Sequence, residues 1–232
     1  MVKIILSMVI AFVAVAAVMP FLIPFLRKLK FGQQILEEGP NWHKAKQGTP
    51  TMGGIGFIIA VIIAFLIANR DLRAGLVLLF AFLCGAVGFV DDFIKVYLKR
   101  NMGFNARQKT LCLIVAMIVF IVAARMLGYI STEIYIPFFR TNIDLSLWYY
   151  PFIVIVLFGG INSVNLTDGI DGLASSVTAV VSVFYAVAAY ILGYHGLSYL
   201  SAAMLGGLIG FLVFNLNPAK VFMGDTGSLF LG

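Results

Sequence analysis

Seven stretches of almost unbroken apolar residues divide this chain of 232 residues. Each is close to the roughly 20 residues that carry a helix across about 30 Å of hydrocarbon. They cover 4–26, 51–69, 74–90, 109–128, 148–165, 173–192 and 198–216, and an eighth begins near Thr226. Hydrophobic residues make up 62% of the chain and charged residues 11%, against roughly 50% and 25% in ordinary soluble domains. A water-soluble domain of this size keeps too much surface exposed to hide so much apolar material. A disordered chain needs the opposite composition. The expected fold is all-α, a polytopic transmembrane helical bundle forming a single integral-membrane domain over 1–232. The first run is longer than the roughly 7–15 residues of a secretory signal core, and no clear cleavage site precedes the basic cluster after it. It is therefore read as a span, which Pro20 and Pro24 kink without abolishing.

The net charge of +6 is not a nucleic-acid footprint in such a chain, and no nucleic-acid partner is expected. Basic residues beside apolar spans are an orientation signal and suit a lipid bilayer or phosphorylated substrates. The connections at 27–50, 91–109 and 217–225 hold eleven of the sixteen Lys and Arg residues, and the N-terminus and opposite connections hold five. The positive-inside rule then puts the N-terminus outside and the connections at 27–50, 91–109 and 217–225 in the cytoplasm. Between the fourth and fifth runs, Thr132-Glu-Ile-Tyr-Ile, Pro137 and Asn142-Ile-Asp read as a small outer-face hairpin near 131–145. Cys84 and Cys112 both sit in apolar runs and build neither a disulfide framework nor a zinc spacing.

Topology sorts the ten acidic residues. Asp71, Glu133 and Asp144 fall in outer loops, and Glu37 and Glu38 in the first cytoplasmic loop, where a solvated charge needs no further role. The remaining five are all aspartates at cytoplasmic ends of spans. Asp91 and Asp92 close the third, Asp168 and Asp171 stand between the fifth and sixth, and Asp225 precedes the eighth. They could be ordinary boundary charges. Yet the positive-inside bias gives these ends no preference for Asp, and all three groups sit in apolar or Gly-rich sequence. Ionisable groups so near hydrocarbon are costly and usually functional, which favours one shared site.

Spacing supports that reading. Lys95 follows Asp91 by four and Asp92 by three, so all three can share a helix face. Asn162 and Asn165, and likewise Asp168 and Asp171, are three apart. Oxygen donors without His or Cys suit a hard cation, Mg²⁺ above all. Mg²⁺ with several carboxylates and nearby lysines is the equipment of phosphoryl transfer. The Gly-rich run Gly48 to Gly56 fits neither a P-loop nor a dinucleotide fingerprint, and alone it means close helix packing. His43 and His195 fall on opposite sides of the membrane and cannot pair. The glycosylation triplet at Asn165 lies on the wrong side to be used.

Four runs stand in order along most of the chain: Gly48-Thr-Pro-Thr-Met-Gly-Gly54, Val90-Asp-Asp-Phe-Ile-Lys95, Asn162-Ser-Val-Asn-Leu-Thr-Asp-Gly-Ile-Asp-Gly-Leu173 and Asn217-Pro-Ala-Lys-Val-Phe-Met-Gly-Asp-Thr-Gly-Ser228. Together they resemble the bacterial phospho-N-acetylmuramoyl-pentapeptide transferase (MraY, translocase I) family. That family lies within the polyprenyl-phosphate N-acetylhexosamine-1-phosphate transferase superfamily. The resemblance implies Mg²⁺-dependent transfer of phospho-MurNAc-pentapeptide from its UDP donor to undecaprenyl phosphate, giving lipid I and UMP for peptidoglycan synthesis. It implies a multi-pass protein of the bacterial inner membrane with its site on the cytoplasmic face. By motif match, Asp91 and Asp92 correspond to the paired catalytic aspartates, one of which is proposed to deprotonate the lipid phosphate. Asp225 corresponds to the Mg²⁺ ligand. Lys44, Thr49, Asn165, Asp168, Asp171 and Phe222 match positions lining the pocket for uridine and nucleoside inhibitors, with Phe222 available to stack on uracil. Lys95 and Asn162 are also taken as substrate-binding.

The resemblance carries one departure. Members of the family have ten spans and a His-rich cytoplasmic loop between the last two, whereas this sequence runs to Gly232. Residues 1–232 alone are therefore expected to insert in a membrane without completing lipid I. Oligomeric state is open, a homodimer included. Two other functions compete. A GlcNAc-1-phosphate transferase would share the motifs and differ in donor. A transporter would place acids near span midpoints in matching halves, which the five aspartates at one face do not do.

Overall fold

A computed structural model describes residues 1–29, 48–98 and 103–232; Glu37, Glu38, His43 and Lys44 lie outside the described residues. Among the described residues, eight α-helices follow the apolar runs: α1 (Val2–Lys28), α2 (Gly54–Ala68), α3 (Leu72–Tyr97), α4 (Ala106–Met126), α5 (Tyr149–Thr167), α6 (Leu173–Ile191), α7 (His195–Asn215) and α8 (Gly224–Leu231). Six of the described helices are long and apolar enough to cross a membrane; α2, with 15 residues, is shorter. The chain is thus a polytopic all-α membrane protein. Between α4 and α5, β1 (Glu133–Ile136) and β2 (Thr141–Asp144) form the expected hairpin, with Glu133 opposite Asp144 and Ile136 opposite Thr141.

Apolar sequence sets where the helices run, and particular residues set where they start. Asp71 was expected as a plain solvated loop charge. Instead its Oδ1 accepts from the Ala74 N–H at 2.8 Å and caps α3, satisfying a donor that the helix's own ladder leaves unpaired. Helix α1 runs through Pro20 and Pro24. It buries Ser7, Ala11, Val15, Met19 and Ile23, a stripe repeating every four residues. That stripe faces α7, where a Cβ on Gly206 would collide with the backbone of Met8 and one on Gly210 would press on Val15. Small residues four apart let two helices approach at backbone distance, the usual means of packing in lipid.

The same device seats α8 among α2, α3 and α5. A Cβ on Gly54 would strike the backbone of Gly227, one on Gly88 the backbone of Asp225, and one on Gly85 would lie 3.1 Å from Phe230. The Gly-rich run before α2 does more than allow close packing. The Gly53 N–H donates to the Phe222 carbonyl and the Phe222 N–H to the Pro50 carbonyl, both at 2.8 Å, and the Gly54 N–H reaches the Met223 carbonyl at 3.1 Å. Backbone hydrogen bonds therefore tie residues 50–54 to 222–223, and α2 starts at Gly54 rather than at 51.

At the other end of the bundle, the Arg73 guanidinium lies over the rings of Tyr129 and Tyr194, 4.8 and 4.7 Å from their centroids. Asn69 donates to the Gly196 carbonyl at 2.8 Å. These contacts tie together the connections that precede α3, follow α4 and precede α7.

Candidate active site

The apolar run of α3 was expected to end near residue 90, with a helical continuation carrying Asp91, Asp92 and Lys95. The helix continues to Tyr97, and both aspartates are buried, at 2% and 4% exposure. Hydropathy falls at the acids, but the backbone ladder does not need apolar side chains, and the acids find partners inside the fold. Lys95, one turn on, places its Nζ 2.6 Å from Asp91 Oδ2 and 2.7 Å from Asp225 Oδ2. The expected shared face is real and is completed by a residue 130 positions away.

Every side of the cluster is held. The Phe104 N–H donates to Asp91 Oδ1 at 2.5 Å. Asp92 Oδ2 accepts twice from Thr226, from its N–H at 2.9 Å and its hydroxyl at 2.7 Å. Asp225, in the first turn of α8, where the helix dipole favours an anion, also receives Lys109 Nζ at 3.0 Å and Asn165 Nδ2 at 2.8 Å. Asn165 donates as well to Ser228 Oγ at 2.7 Å. Carboxylate oxygens of Asp91, Asp92 and Asp225 all lie within 4.8 Å of one another. Gly224, at φ +71°, makes this possible, because a Cβ there would sit 2.5 Å from Asp92 Oδ2 and 2.7 Å from Thr51 Oγ1.

Three carboxylates face the two ammonium groups of Lys95 and Lys109, so one formal negative charge remains among these described groups. Oxygen donors converging with a surplus of negative charge fit a hard divalent cation, and the cluster has neither His nor Cys to attract a softer one. Adding a divalent ion would leave the cluster with one positive charge, favourable for an anionic phosphate.

The other expected residues divide. Asn165 joins the cluster. Asn162 turns back on its own helix, donating to the Phe158 carbonyl at 2.8 Å. Asp171 binds the segment before α8, accepting from Asn217 Nδ2 at 3.0 Å and the Ala219 N–H at 3.2 Å. Asp168 closes α5 as the residue after its last turn. Phe222 is held by the backbone pairing with 50–53, and Thr49 stands at the start of that pairing. Lys44 lies outside the described residues.

Sequence reasoning missed Lys109, Thr226, Ser228 and Asn215. Lys109 looked like one more flanking cation, and nothing in spacing relates it to Asp225. The buried Asn215 accepts from the Gly172 N–H at 3.1 Å and donates to the Val221 carbonyl at 2.9 Å. It thereby joins the start of α6 to the segment leading into Phe222.

A polytopic helical protein with such a carboxylate and lysine cluster at one end of its bundle belongs with the membrane transferases. Comparison with known proteins is specific. Residues 74–232 match the profile of glycosyl transferase family 4, and residues 46–58 match phospho-N-acetylmuramoyl-pentapeptide-transferase signature 1. A phospho-N-acetylmuramoyl-pentapeptide-transferase of Thermoanaerobacter sp. (strain X514) is 49% identical over 231 residues, covering 99% of this chain and 72% of the relative. Relatives of the same name from Caldanaerobacter subterraneus subsp. tengcongensis and Halalkalibacterium halodurans are 46% and 44% identical, covering 99% and 98% of this chain and 72% and 71% of theirs. The chain belongs to the phospho-N-acetylmuramoyl-pentapeptide-transferase family, and it is a phosphoglycosyl transferase.

Proposed function

We propose that the protein transfers phospho-MurNAc-pentapeptide from UDP-MurNAc-pentapeptide to undecaprenyl phosphate, releasing UMP and forming lipid I, with Mg²⁺ as cofactor. The observation that carries this reading is the convergence of Asp91, Asp92 and Asp225 with Lys95 and Lys109 in one cluster. A lipid phosphate oxygen attacks the phosphorus bonded to the sugar, the bond to the UMP oxygen breaks, and UMP leaves with the negative charge. One of Asp91 and Asp92 takes the proton of the lipid phosphate as it attacks. Lys95 and Lys109 hold the charged phosphates in line, the positioning and charge neutralisation on which phosphoryl transfer depends. Asp225, flanked by Asp91 and Asp92, would hold Mg²⁺, which when bound offsets negative charge on the pyrophosphate. Asn165 fixes Asp225 in place. Lys44, Thr49, Asn162, Asp168, Asp171 and Phe222 are proposed to receive the nucleotide and its sugar, and nucleoside inhibitors would compete there.

The surplus of basic residues on the connections nearest the cluster supports a cytoplasmic-face site in the bacterial inner membrane, with the N-terminus outside. The intact enzyme, offered undecaprenyl phosphate with either UDP-MurNAc-pentapeptide or UDP-GlcNAc, tests the donor. Lipid product and UMP are expected only from the muramoyl donor, and turnover of UDP-GlcNAc alone would replace this reading with the sister reaction. Chelation is expected to abolish turnover and added Mg²⁺ or Mn²⁺ to restore it. Full activity after exhaustive chelation would refute the metal assignment.

A further inference from the structure

The hairpin between α4 and α5 has no part in the chemistry above. It lies at the far end of the bundle, because α4 starts beside Asp91 and runs 21 residues, about 30 Å at 1.5 Å per residue. Cross-strand partners share a face, so Ile134, Ile136 and Ile143 lie on one side, while Glu133, Tyr135, Asn142 and Asp144 lie on the other. The two acids stand directly opposite one another on that polar side. At the tip, Phe138 and Phe139 are 96% and 77% exposed. A solvated tip has no use for adjacent phenylalanines, and leaving them in water is unfavourable.

We infer that this hairpin lies on the membrane surface, with Phe138, Phe139 and the isoleucine face entering the lipid interface and the acidic face turned to water. The choice of lipid over a protein partner rests on continuity and charge. The strands spring from two spans, and exposed apolar residues stand at both roots of the hairpin, Met126 and Leu127 at the end of α4 and Leu147, Trp148 and Phe152 at the start of α5. Aromatic side chains of this kind settle at the headgroup level. Arg140, next to the tip, suits lipid phosphates, whereas the acids that anionic headgroups would repel are gathered on the opposite face.

The test uses the full chain reconstituted in phosphatidylcholine–phosphatidylglycerol vesicles, with Trp42 and Trp148 changed to Phe and one tryptophan introduced at a time. Phe138→Trp and Phe139→Trp are expected to emit at blue-shifted wavelengths, lose intensity when the lipids are brominated high on the acyl chain, and resist iodide added to the water. Asn142→Trp, on the acidic face, is expected to show the reverse. Three results would overturn the inference. One is iodide quenching of the tip tryptophans without bromine quenching. A second is protection from both quenchers, which would indicate a protein partner or a second copy. The third is equal bromine quenching at positions 138 and 142, which would show that the hairpin has no lipid-facing side.

Discussion

Thr226→Val separates a hydroxyl from the shape that carries it. The threonine hydroxyl donates at 2.7 Å to Asp92 Oδ2, which also accepts the Thr226 N–H at 2.9 Å. Valine keeps the volume, the helix and the N–H, so the change deletes one hydrogen bond to a carboxylate that is 4% exposed. Hydrogen bonds to charged groups are worth about 1.5–3 kcal/mol. If the transition state feels the whole of that, kcat falls by about 10- to 150-fold. Thr226→Ser keeps the hydroxyl and is expected to stay close to the parent rate. Initial rates of UMP release by the intact enzyme, with thermal unfolding followed in the same detergent, provide the measurement. Parental kcat in a well-folded Thr226→Val protein would show that Asp92 does not depend on the bond.

Three further outcomes are expected. Asp91→Asn and Asp92→Asn should each lower turnover by about 10²-fold or more, the usual loss of a positioned acid–base group; wild-type rates in both would make them ordinary buried boundary charges. Gly224→Ala and Gly128→Ala place a Cβ on backbones of nearly equal φ, +71° and +70°, but only the first meets atoms within 4 Å. Both carry the cost of about 1–2 kcal/mol of a left-handed residue, so a thermal-melt comparison should show the larger loss at 224, and equal losses would dismiss the contact with Asp92. The Asp144 carboxyl is held below the usual carboxylate range by the Thr132 hydroxyl and the Ser146 N–H. The order it lends the hairpin is therefore complete above the ordinary aspartate value of about 3.9 and disappears as pH falls through the lower folded one. Amide exchange at Ser146 across that range should follow this curve in the parent and be flat in Asp144→Asn.

Much of the fold was legible because lipid demands long apolar runs, and each run became a helix near its expected place. Where hydropathy and the backbone diverge, the reading erred. Helix α2 starts late because 50–54 bond to 222–223, whereas the helical continuation expected through Asp91, Asp92 and Lys95 is present in α3. Within the site, Asp91 and Lys95 could be paired from a four-residue interval. No interval links Lys109 to Asp225 or Thr226 to Asp92, since those meetings arise from the seating of α8 against α3. Spacing also does not distinguish Asn162, whose side chain donates within its own helix, from Asn165, which donates to Asp225.

The seating of α8 also governs when in the protein's synthesis the site can exist. Asp92 and Thr226 are 134 residues apart, Lys95 and Asp225 130, and Lys109 and Asp225 116. Spans that enter the bilayer one after another would carry Asp91 and Asp92 into it long before their counterparts leave the ribosome. Until Gly224–Leu231 docks, Phe222 has no backbone cradle and the aspartates lack Thr226. The grouping of Asp91, Asp92, Lys95 and Lys109 with Asp225 and Thr226 can therefore form only after Gly224–Leu231 has been made and has docked.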